Sequence, residues 1–209
     1  MFIKICGITR LEDALHAAEQ GATALGFVFW PRSPRYVEPA VAAGIIARLP
    51  AGVTPVGLFV NESPERIRGV VAETGIATVQ LHGDEPASYT AALSTPVIRA
   101  ISLDRQAETA SWPAGTTFLV DAADPIRRGG TGAMVDWAGA AALARGCRLV
   151  LAGGLTPENV AEAIGVVEPY GVDVSSGVED APGIKNADKV TRFLASARSA
   201  FEQHEHHHR

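Results

Sequence analysis

The stretch Leu149-Val-Leu-Ala-Gly-Gly-Leu-Thr-Pro-Glu158 contains one complete strand-to-helix unit. Its apolar start predicts a buried strand over Leu149–Leu151, and the two glycines that follow predict a sharp turn. Thr156, Pro157 and Glu158 then supply a capping hydroxyl, a first-turn proline and an acid that suits the helix dipole. The stretch therefore predicts a strand followed closely by a helix, the repeating unit of an α/β fold.

The same alternation extends in both directions from this unit. Short apolar runs predict eight strands, at Phe2–Ile5, Ala24–Phe29, Thr54–Val60, Thr78–Leu81, Val97–Ile101, Thr117–Val120, Leu149–Leu151 and Gly171–Val174. The segments between them predict helices at Leu11–Glu19, Pro39–Leu49, Pro64–Glu73, Pro86–Leu93, Trp137–Ala144, Pro157–Ile164 and Asp188–Phe201. In the fifth connection, Ser111–Gly115 interrupts the helix-like Leu103–Ala110, so we expect a shortened or irregular fifth helix.

Almost wholly apolar strands separated by helices are expected to be parallel, and eight such units close into a barrel. We therefore expect a single-domain α/β fold, a (β/α)8 TIM barrel over residues 1–203. An open doubly wound sheet normally carries a G-x-G-x-x-G turn after its first strand, and Cys6-Gly7-Ile8-Thr9 lacks that pattern. The tail at 204–209 holds four of the six histidines, and we expect a disordered or expression-derived end with no part in function.

Composition narrows the possible partners. The 209 residues are 47% hydrophobic and carry a net charge of −5, with a pI near 5.7. An acidic chain does not attract nucleic acid or an anionic membrane, and its apolar runs are too short to cross a bilayer. Two widely separated cysteines and no signal segment favour a reducing compartment. We expect a cytoplasmic monomer that binds a small molecule, with no nucleic-acid or membrane partner.

In a TIM barrel the reactive groups lie in the loops after the C-terminal ends of the strands. Gly153 and Gly154 follow the seventh predicted strand, and Ser175, Ser176 and Gly177 follow the eighth. Glycine lets the backbone approach an anion, while hydroxyls and a helix N-terminus supply donors and positive potential. The two loops favour a phosphate site, although tight turns alone would also explain the glycines.

Two other strand ends carry residues suited to proton transfer. Cys6 ends the first strand, and Asp121 follows the sixth. If the two face each other across the barrel mouth, desolvation would raise the carboxyl pKa and a nearby cation would lower the thiol pKa. Both changes move toward neutral pH, where an acid and a base are most effective.

Arginines near the mouth are candidates for binding a second anion. Arg35 lies in a loop stiffened by two prolines, and its guanidinium offers a bidentate fork for a carboxylate or phosphate. Arg32, Arg127 and Arg128 are less constrained candidates. The glycine-rich segment Arg127–Gly132 is the segment we expect to form a mobile lid.

Together, these motifs resemble the phosphoribosylanthranilate isomerase family. They occur in order between residue 3 and about residue 195 as Lys4-Ile-Cys6-Gly7-Ile-Thr9, Gly26-Phe-Val-Phe29, Ser33-Pro-Arg35-Tyr36, Gln80-Leu-His82-Gly83, Val120-Asp121, Gly129-Gly-Thr-Gly132, Ala152-Gly-Gly-Leu155-Thr-Pro-Glu-Asn159 and Asp173-Val-Ser-Ser-Gly177-Val-Glu179. The resemblance implies an Amadori rearrangement in tryptophan biosynthesis. The substrate would be N-(5-phosphoribosyl)anthranilate, the product 1-(2-carboxyphenylamino)-1-deoxyribulose 5-phosphate, and no metal or organic cofactor would take part.

The resemblance also implies residue roles. Asp121 would be the general acid that opens the furanose ring, and Cys6 the general base that removes the proton from the adjacent sugar carbon. Arg35 would bind the anthranilate carboxylate. The remaining substrate-binding candidates, most of them around the phosphate, are Gln80, His82, Gly153, Gly154, Asp173, Ser175, Ser176 and Gly177.

Three polar residues keep more than one interpretation. Asp173 would position the sugar hydroxyls or be a buried acid bonded to neighbouring backbone. His82 would contact substrate, orient Asp121 or simply line the barrel. Lys4 shares strand parity with Cys6 and so points inward, which suits an internal ion pair rather than catalysis.

Three alternative functions remain. A histidine-pathway barrel isomerase performs the same rearrangement, but that family resembles a two-aspartate design, and the first position here is Cys6. Indole-3-glycerol phosphate synthase should carry catalytic lysine and glutamate at strand ends, which Lys4 alone does not supply. A noncatalytic phosphate-ligand sensor would bind a product analogue without turnover, and the presence of both Cys6 and Asp121 argues against it.

Overall fold

The structure, a computed structural model, describes residues 1–121 and 134–207, the last three by their backbone alone. Eight parallel strands pair in chain order, and the eighth pairs with the first, so the sheet closes into a barrel. They are β1 (Phe2–Cys6), β2 (Ala24–Val28), β3 (Thr54–Phe59), β4 (Thr78–Leu81), β5 (Val97–Ile101), β6 (Thr117–Val120), β7 (Arg148–Leu151) and β8 (Gly171–Val174). The (β/α)8 barrel predicted from sequence is confirmed.

Helices surround the sheet. The α-helices of the described residues are α1 (Leu11–Glu19), α2 (Pro39–Ile46), α3 (Pro64–Thr74), α4 (Tyr89–Ala92), α5 (Trp137–Ala144), α6 (Val160–Val167) and α7 (Ala187–His207). The fifth connection is a 3₁₀ helix over Leu103–Ser111, so the irregular helix expected there is confirmed. The Ser63 hydroxyl caps α3 by accepting from the N–H of Arg66.

Helix α6 begins three residues later than predicted, because Asn159 holds the residues before it in a turn. The Asn159 side chain accepts from the N–H of Thr156 at 2.8 Å and donates to the carbonyl of Gly154 at 2.9 Å. The Thr156 hydroxyl accepts from the N–H of Glu158 within that turn. The predicted capping residue therefore shapes the loop and does not begin the helix.

The C-terminal helix α7 extends past residue 203, where we expected the barrel to end. Phe201 is buried, and Nε2 of His204 lies 3.7 Å from Oε1 of Glu168, which follows α6. Residues 204–207 are helical rather than disordered, since they continue a helix that is already packed on the barrel.

Alternate residues of each strand point into the barrel, because successive side chains of a strand lie on opposite faces. The interior is filled by a cluster of mostly small and branched side chains: Ala24, Val56, Ile98, Ala100, Leu119, Val150 and Ala152. Burying a side chain such as Leu119 stabilises the fold by about 1.5–3 kcal/mol. The interior is thus a packed core, and space for a ligand remains at its ends.

A small hairpin follows β8 and was not predicted. Its strands are β9 (Glu179–Ala181) and β10 (Ile184–Lys185), which pair antiparallel. The hydroxyl of Thr9 donates to the carbonyl of Gly183, so the hairpin is tied to the loop after β1. Within the described ranges, no helix has both the length and the apolar character needed to cross a membrane.

Candidate active site

The C-terminal ends of the barrel strands bring together the residues singled out from the sequence. Cys6 ends β1, Gln80 lies in β4 and Asp173 lies in β8. The other predicted site residues follow strand ends directly or lie in the loop after β2: Arg35, His82, Asp121, Gly153, Gly154, Ser175, Ser176 and Gly177. Candidate Arg32 is exposed in the loop after β2. Arg127, Arg128 and the expected lid Arg127–Gly132 lie outside the described residues.

The loops after β7 and β8 line one cavity together with Asp121 and Asp173. Gly153 and Gly154 both have positive φ, 79° and 68°, a conformation that glycine adopts at low cost. Their N–H groups precede the turn that leads into α6. A loop of this shape, rich in backbone donors, suits a phosphate.

Gly177 lets the same two loops pack closely. A Cβ at residue 177 would collide with the carbonyl oxygen of Leu155, so only glycine fits there without moving the backbone. The hydroxyl of Ser175 is buried and has no hydrogen-bond partner among the described residues. The cavity therefore contains a buried polar atom that a bound anion could satisfy.

Cys6 lies at the apolar side of the mouth. It is 6% exposed and packs with Val28 and Leu58, beside the partly buried Trp30 and Val60. Burial raises the pKa of the Cys6 thiol above its ordinary value, and the charge of Lys4 opposes that rise. The expected cation is present, but the expected direction of the thiol pKa is wrong, because loss of water around the sulfur outweighs the cation.

The cation beneath Cys6 is Lys4, which is fully buried. Its ammonium lies 3.0 Å from Oδ1 of Asp173, and the two residues are register partners across the β1–β8 pairing. Burial disfavours the charged form of Lys4 and so acts to lower its pKa. Asp173 and Cys6 outweigh that effect, and the pKa of Lys4 lies above its ordinary value. The internal ion pair proposed for Lys4 is therefore present, and Asp173 has a buried cationic partner.

Asp121 faces an imidazole across the mouth. Nε2 of His82 lies 3.8 Å from Oδ2 of Asp121, and both side chains are largely buried. Nδ1 of His82 lies 3.0 Å from Nε2 of Gln80, which is completely buried. Of the three interpretations of His82, this geometry supports the one in which it orients Asp121.

Arg35 meets an acid that the sequence analysis did not assign to the site. Its Nη2 lies 2.7 Å and its Nε 2.9 Å from the two carboxylate oxygens of Glu179, a bidentate pair. Glu179 also accepts from the buried ammonium of Lys185 at 2.8 Å. A substrate carboxylate would therefore approach Arg35 from the side of Nη1, since Glu179 holds the opposite side.

Lys185 connects Glu179 to the end of β1. Its ammonium donates to the carbonyl oxygens of Cys6 and Ser175 as well as to Glu179. The residue lies on the unpredicted hairpin, 179 positions from Cys6. The dipeptide Pro182-Gly183 was the available signal, because it marks a turn and hence a hairpin.

A second buried acid fixes the neighbouring loops. Glu85 accepts from the N–H of Asn61 at 2.6 Å, the N–H of Gly83 at 2.8 Å and Nη1 of Arg99 at 3.0 Å. One carboxylate thus holds the loops after β3 and β4 against β5. The loop that carries His82 is positioned by this contact.

A larger groove, about 790 Å³, lies elsewhere between α6 and α7. It is lined mainly by small residues, and α6 leads into the N-terminal end of β8, so the groove does not adjoin the mouth formed by the C-terminal strand ends. Among the described residues, no group of three His, Cys, Asp or Glu side chains is arranged to hold a metal ion. The mouth is the candidate active site because the acid, the thiol and the anion loops meet there.

The comparisons with known proteins agree with this geometry. A family model described as N-(5'phosphoribosyl)anthranilate (PRA) isomerase matches residues 3–196. The chain is 51% identical over 203 residues to the N-(5'-phosphoribosyl)anthranilate isomerase of Trichlorobacter lovleyi, covering 95% of this chain and 98% of that protein.

Two solved structures extend the similarity to the fold. One contains monomers generated from the dimeric phosphoribosylanthranilate isomerase of Thermotoga maritima, with 40% identity, a TM-score of 0.85 and coverage of 95% of this chain and 99% of that one. The other is a phosphoribosyl anthranilate isomerase bound to reduced 1-(o-carboxyphenylamino)-1-deoxyribulose 5-phosphate, with 42% identity, a TM-score of 0.84 and the same coverage. The chain belongs to the N-(5'-phosphoribosyl)anthranilate isomerase family.

Proposed function

We propose that this isomerase of tryptophan biosynthesis converts N-(5-phosphoribosyl)anthranilate to 1-(2-carboxyphenylamino)-1-deoxyribulose 5-phosphate with Asp121 as general acid and Cys6 as general base. The assignment rests on one observation, which is that Asp121 and Cys6 lie at the same end of the barrel. Asp121 lines the same cavity as the glycine loops after β7 and β8, and Cys6 ends the strand paired with β8. One substrate anchored by its phosphate can reach both groups.

The two ends of the substrate fit two separate parts of the mouth. The phosphate binds at Gly154, Ser176 and Gly177, which line one cavity and can supply backbone N–H groups and a hydroxyl as donors. Gly153 and Ser175 complete that loop pair. The anthranilate carboxylate binds Arg35, whose orientation Glu179 holds from the far side. Binding at both ends places the sugar carbons between Asp121 and Cys6.

Ring opening is the first chemical step. Protonated Asp121 donates its proton to the furanose ring oxygen, the bond from that oxygen to C1 breaks, and the anilino nitrogen supplies the electron pair that forms a protonated Schiff base. Asp121 is left as a carboxylate. His82, whose proton on Nε2 points toward Asp121, positions the carboxyl group and stabilises this charge as it develops.

Proton abstraction is the second step. The Cys6 thiolate removes the proton from C2, which the adjacent iminium has made acidic, and the electron pair moves to neutralise the nitrogen. The resulting enolamine tautomerises to the ketone, so the reaction is an internal transfer of hydrogen without net gain or loss. A thiolate suits this step because the ordinary thiol pKa, about 8.5, lies closer to neutral pH than that of a lysine ammonium or a tyrosine hydroxyl, and Lys4 opposes the rise that burial causes in the pKa of Cys6.

The decisive experiment generates phosphoribosylanthranilate in situ and follows the loss of its fluorescence. The set comprises wild type, Cys6→Ser, Asp121→Asn and the control Cys147→Ser, since Cys147 is the other free cysteine and lies near α5. Removing a general acid or base is expected to reduce kcat by about 10²–10⁴-fold, while Cys147→Ser keeps the wild-type rate. A wild type that binds the reduced product analogue without turning over substrate would instead favour the sensor alternative.

We further propose that the chain is a cytoplasmic monomer. Both cysteines are free, which suits a reducing compartment. Among the described residues, the exposed large hydrophobic side chains lie on several segments, with Met1 and Tyr170 together at one cavity: Met1, Val41, Met134, Val166, Tyr170 and Ile184. A stable dimer normally buries a contiguous area of roughly 1,600 Å² in total, which scattered residues do not provide.

A further inference from the structure

Five buried charged groups surround Cys6, and their charges do not cancel. The cations are Lys4, Arg35 and Lys185, and the carboxylates are Asp173 and Glu179. Each side chain is at most 11% exposed, and every cation lies within 3.0 Å of one of the two carboxylates. With three cations and two carboxylates, the group keeps one positive charge, which a thiolate at Cys6 neutralises.

Among the three cations, Lys4 is the one that shares its immediate space with the sulfur. Both residues point into the barrel from β1, and both lie against Gly26 of β2. A Cβ built on Gly26 would lie 2.7 Å from Sγ of Cys6 and 3.0 Å from Cε of Lys4. The missing side chain at residue 26 therefore leaves the volume in which the thiol and the terminal methylene of Lys4 come together.

We propose that Lys4, held in the barrel by Asp173, is a positioning residue that favours ionisation of the Cys6 thiol and so opposes the effect of its burial. This inference rests on the proposed function, because it explains how the base of that reaction becomes available. A buried ion pair is often no more stabilising than two apolar side chains of similar volume, since both charges lose their water. The Lys4–Asp173 pair is better explained by its effect on the adjacent thiol.

The other residues near the Cys6 sulfur are either uncharged or already engaged by Glu179, so we assign this role to Lys4. Val28 of β2 and Leu58 of β3 bring no charge. The ammonium of Lys185 is already engaged by Glu179 and by two carbonyl oxygens, and burial lowers its pKa. Arg35 is turned toward Glu179 in a bidentate pair.

Lys4 acts to lower the thiol pKa, although the pKa of Cys6 as a whole lies above its ordinary value. Burial is the largest influence and raises the pKa of Cys6, and the charge of Lys4 is the largest influence that opposes it. Asp173 adds to the rise, and Lys185 opposes it more weakly than Lys4 does. Removing Lys4 would leave burial and Asp173 acting in the same direction.

The test measures the thiol directly in protein without substrate. In a Cys147→Ser background, the ultraviolet absorbance of the thiolate is followed against pH, and the same titration of Cys6→Ser is subtracted. Lys4→Met is expected to move the titration to higher pH and to lower the thiolate fraction near neutral pH by about tenfold or more. The acid limb of the kcat/KM profile should move in the same direction.

Arg99→Met is the matched control. Arg99 is also a buried strand cation paired with a carboxylate, at 3.0 Å from Glu85, but it lies on β5 and has no contact with Cys6. This variant should lose stability as Lys4→Met does and leave the thiol titration unchanged. A shift of equal size in both variants would overturn the proposal, because it would reflect general loosening of the barrel.

A double variant covers the case in which Lys4→Met alone does not fold. Lys4→Met with Asp173→Leu removes both buried charges, a change that barrels tolerate better than one unpaired charge. Its thiol titration should still lie at higher pH than that of the background protein, and an unchanged titration would overturn the proposal. The measurement needs no turnover, so it is independent of the proposed function. If wild type is inactive on the substrate but Lys4→Met still shifts the thiol titration, the proposed reaction is contradicted and the role of Lys4 is retained.

Discussion

Gln80 donates a hydrogen bond from Nε2 to Nδ1 of His82 over 3.0 Å, and this contact fixes the proton of the neutral imidazole on Nε2. That nitrogen faces Oδ2 of Asp121 at 3.8 Å. Asp121, the proposed general acid, therefore faces a residue that is itself held from within the barrel. Gln80 occupies a strand position, so the whole arrangement is anchored in the sheet rather than in a loop.

We predict that Gln80→Met and His82→Ala each lower kcat by roughly ten- to a hundredfold, with little change in KM. Nε2 of His82 lies 3.8 Å from Asp121 in the structure, and if this contact tightens to a hydrogen bond in the reacting complex it contributes about 1.5–3 kcal/mol, which corresponds to that range of rates. Because both residues act through the same contact to Asp121, the double variant should lose little more than either single variant. Steady-state kinetics on all three variants measures this, and fully additive losses would contradict a shared role.

Arg35→Lys should raise KM for phosphoribosylanthranilate by about tenfold and change kcat much less. Lysine keeps the positive charge but lacks the planar fork, so it cannot pair with Glu179 on one side and the substrate carboxylate on the other. Arg32→Lys is the control, because Arg32 is exposed in the same loop. A fall in kcat with unchanged KM would place the role of Arg35 in the chemical step instead of in binding.

Glu179→Gln should destabilise the protein at neutral pH by about 3 kcal/mol, because Arg35 and Lys185 would remain buried without their carboxylate. Urea unfolding measures this free energy. The control is Glu158→Gln, in which an exposed glutamate loses its contact with Arg192 and little change is expected. Equal losses in the two variants would show that the Glu179 cluster does not stabilise the fold.

The same acid predicts how stability depends on pH. Burial acts to raise the pKa of Glu179, but Arg35 and Lys185 outweigh it and hold the pKa below its ordinary value. A carboxylate of this kind stabilises the fold above its unfolded pKa, near 4.3, and that contribution is lost as the pH falls through the folded value. Urea unfolding measured at a series of acidic pH values should show that the free energy of unfolding falls more steeply with decreasing pH in wild type than in Glu179→Gln. Parallel curves would count against the assignment.

Gly177→Ala should weaken phosphate binding and lower the free energy of unfolding, because the new methyl group meets the carbonyl oxygen of Leu155. Gly165→Ala in α6 is the matched control, since a Cβ at residue 165 has no atom within 4 Å. That control should be stabilised by roughly 0.5–1 kcal/mol, as expected for glycine replaced in a helix. Inhibition by inorganic phosphate reports the binding, and equal inhibition constants would argue against the loop pair as the phosphate site.

Sedimentation velocity at micromolar concentration should give the mass of a single chain. Charge-reversing changes at exposed positions should leave that mass unchanged, since most of the exposed large hydrophobic side chains of the described residues lie on separate segments. A species of twice the mass would overturn the monomer proposal and would resemble the dimeric state of the Thermotoga maritima relative.

Local patterns predicted the barrel because each unit carries its own signals. The apolar run before Gly153 and the helix interruption at Ser111–Gly115 need no knowledge of distant residues, and the strand and the irregular helix they predict both occur in the structure. The strand ends also placed Cys6 and Asp121 at one mouth, since parallel strands of a closed barrel end on the same side.

Long-range contacts account for what the sequence did not predict. Glu179 pairs with Arg35 although the two residues are 144 positions apart, and no local sequence pattern predicts such a contact. The direction of the Cys6 pKa was also missed, because burial and an adjacent cation act oppositely and only their distances decide the balance. The delayed start of α6 reflects a single side chain, Asn159, that competes with the helix for backbone groups.

Lys4 and Asp173 lie on the first and last strands of the barrel, at the seam where the ring of strands closes. The two residues of this pair are 169 positions apart, so Lys4 is synthesised long before its partner. A chain that ends before Asp173 has no carboxylate at this position to pair with Lys4 and no eighth strand beside β1. We therefore expect such a chain to be inert in the reaction, because the environment of Cys6 depends on both ends of the barrel sheet.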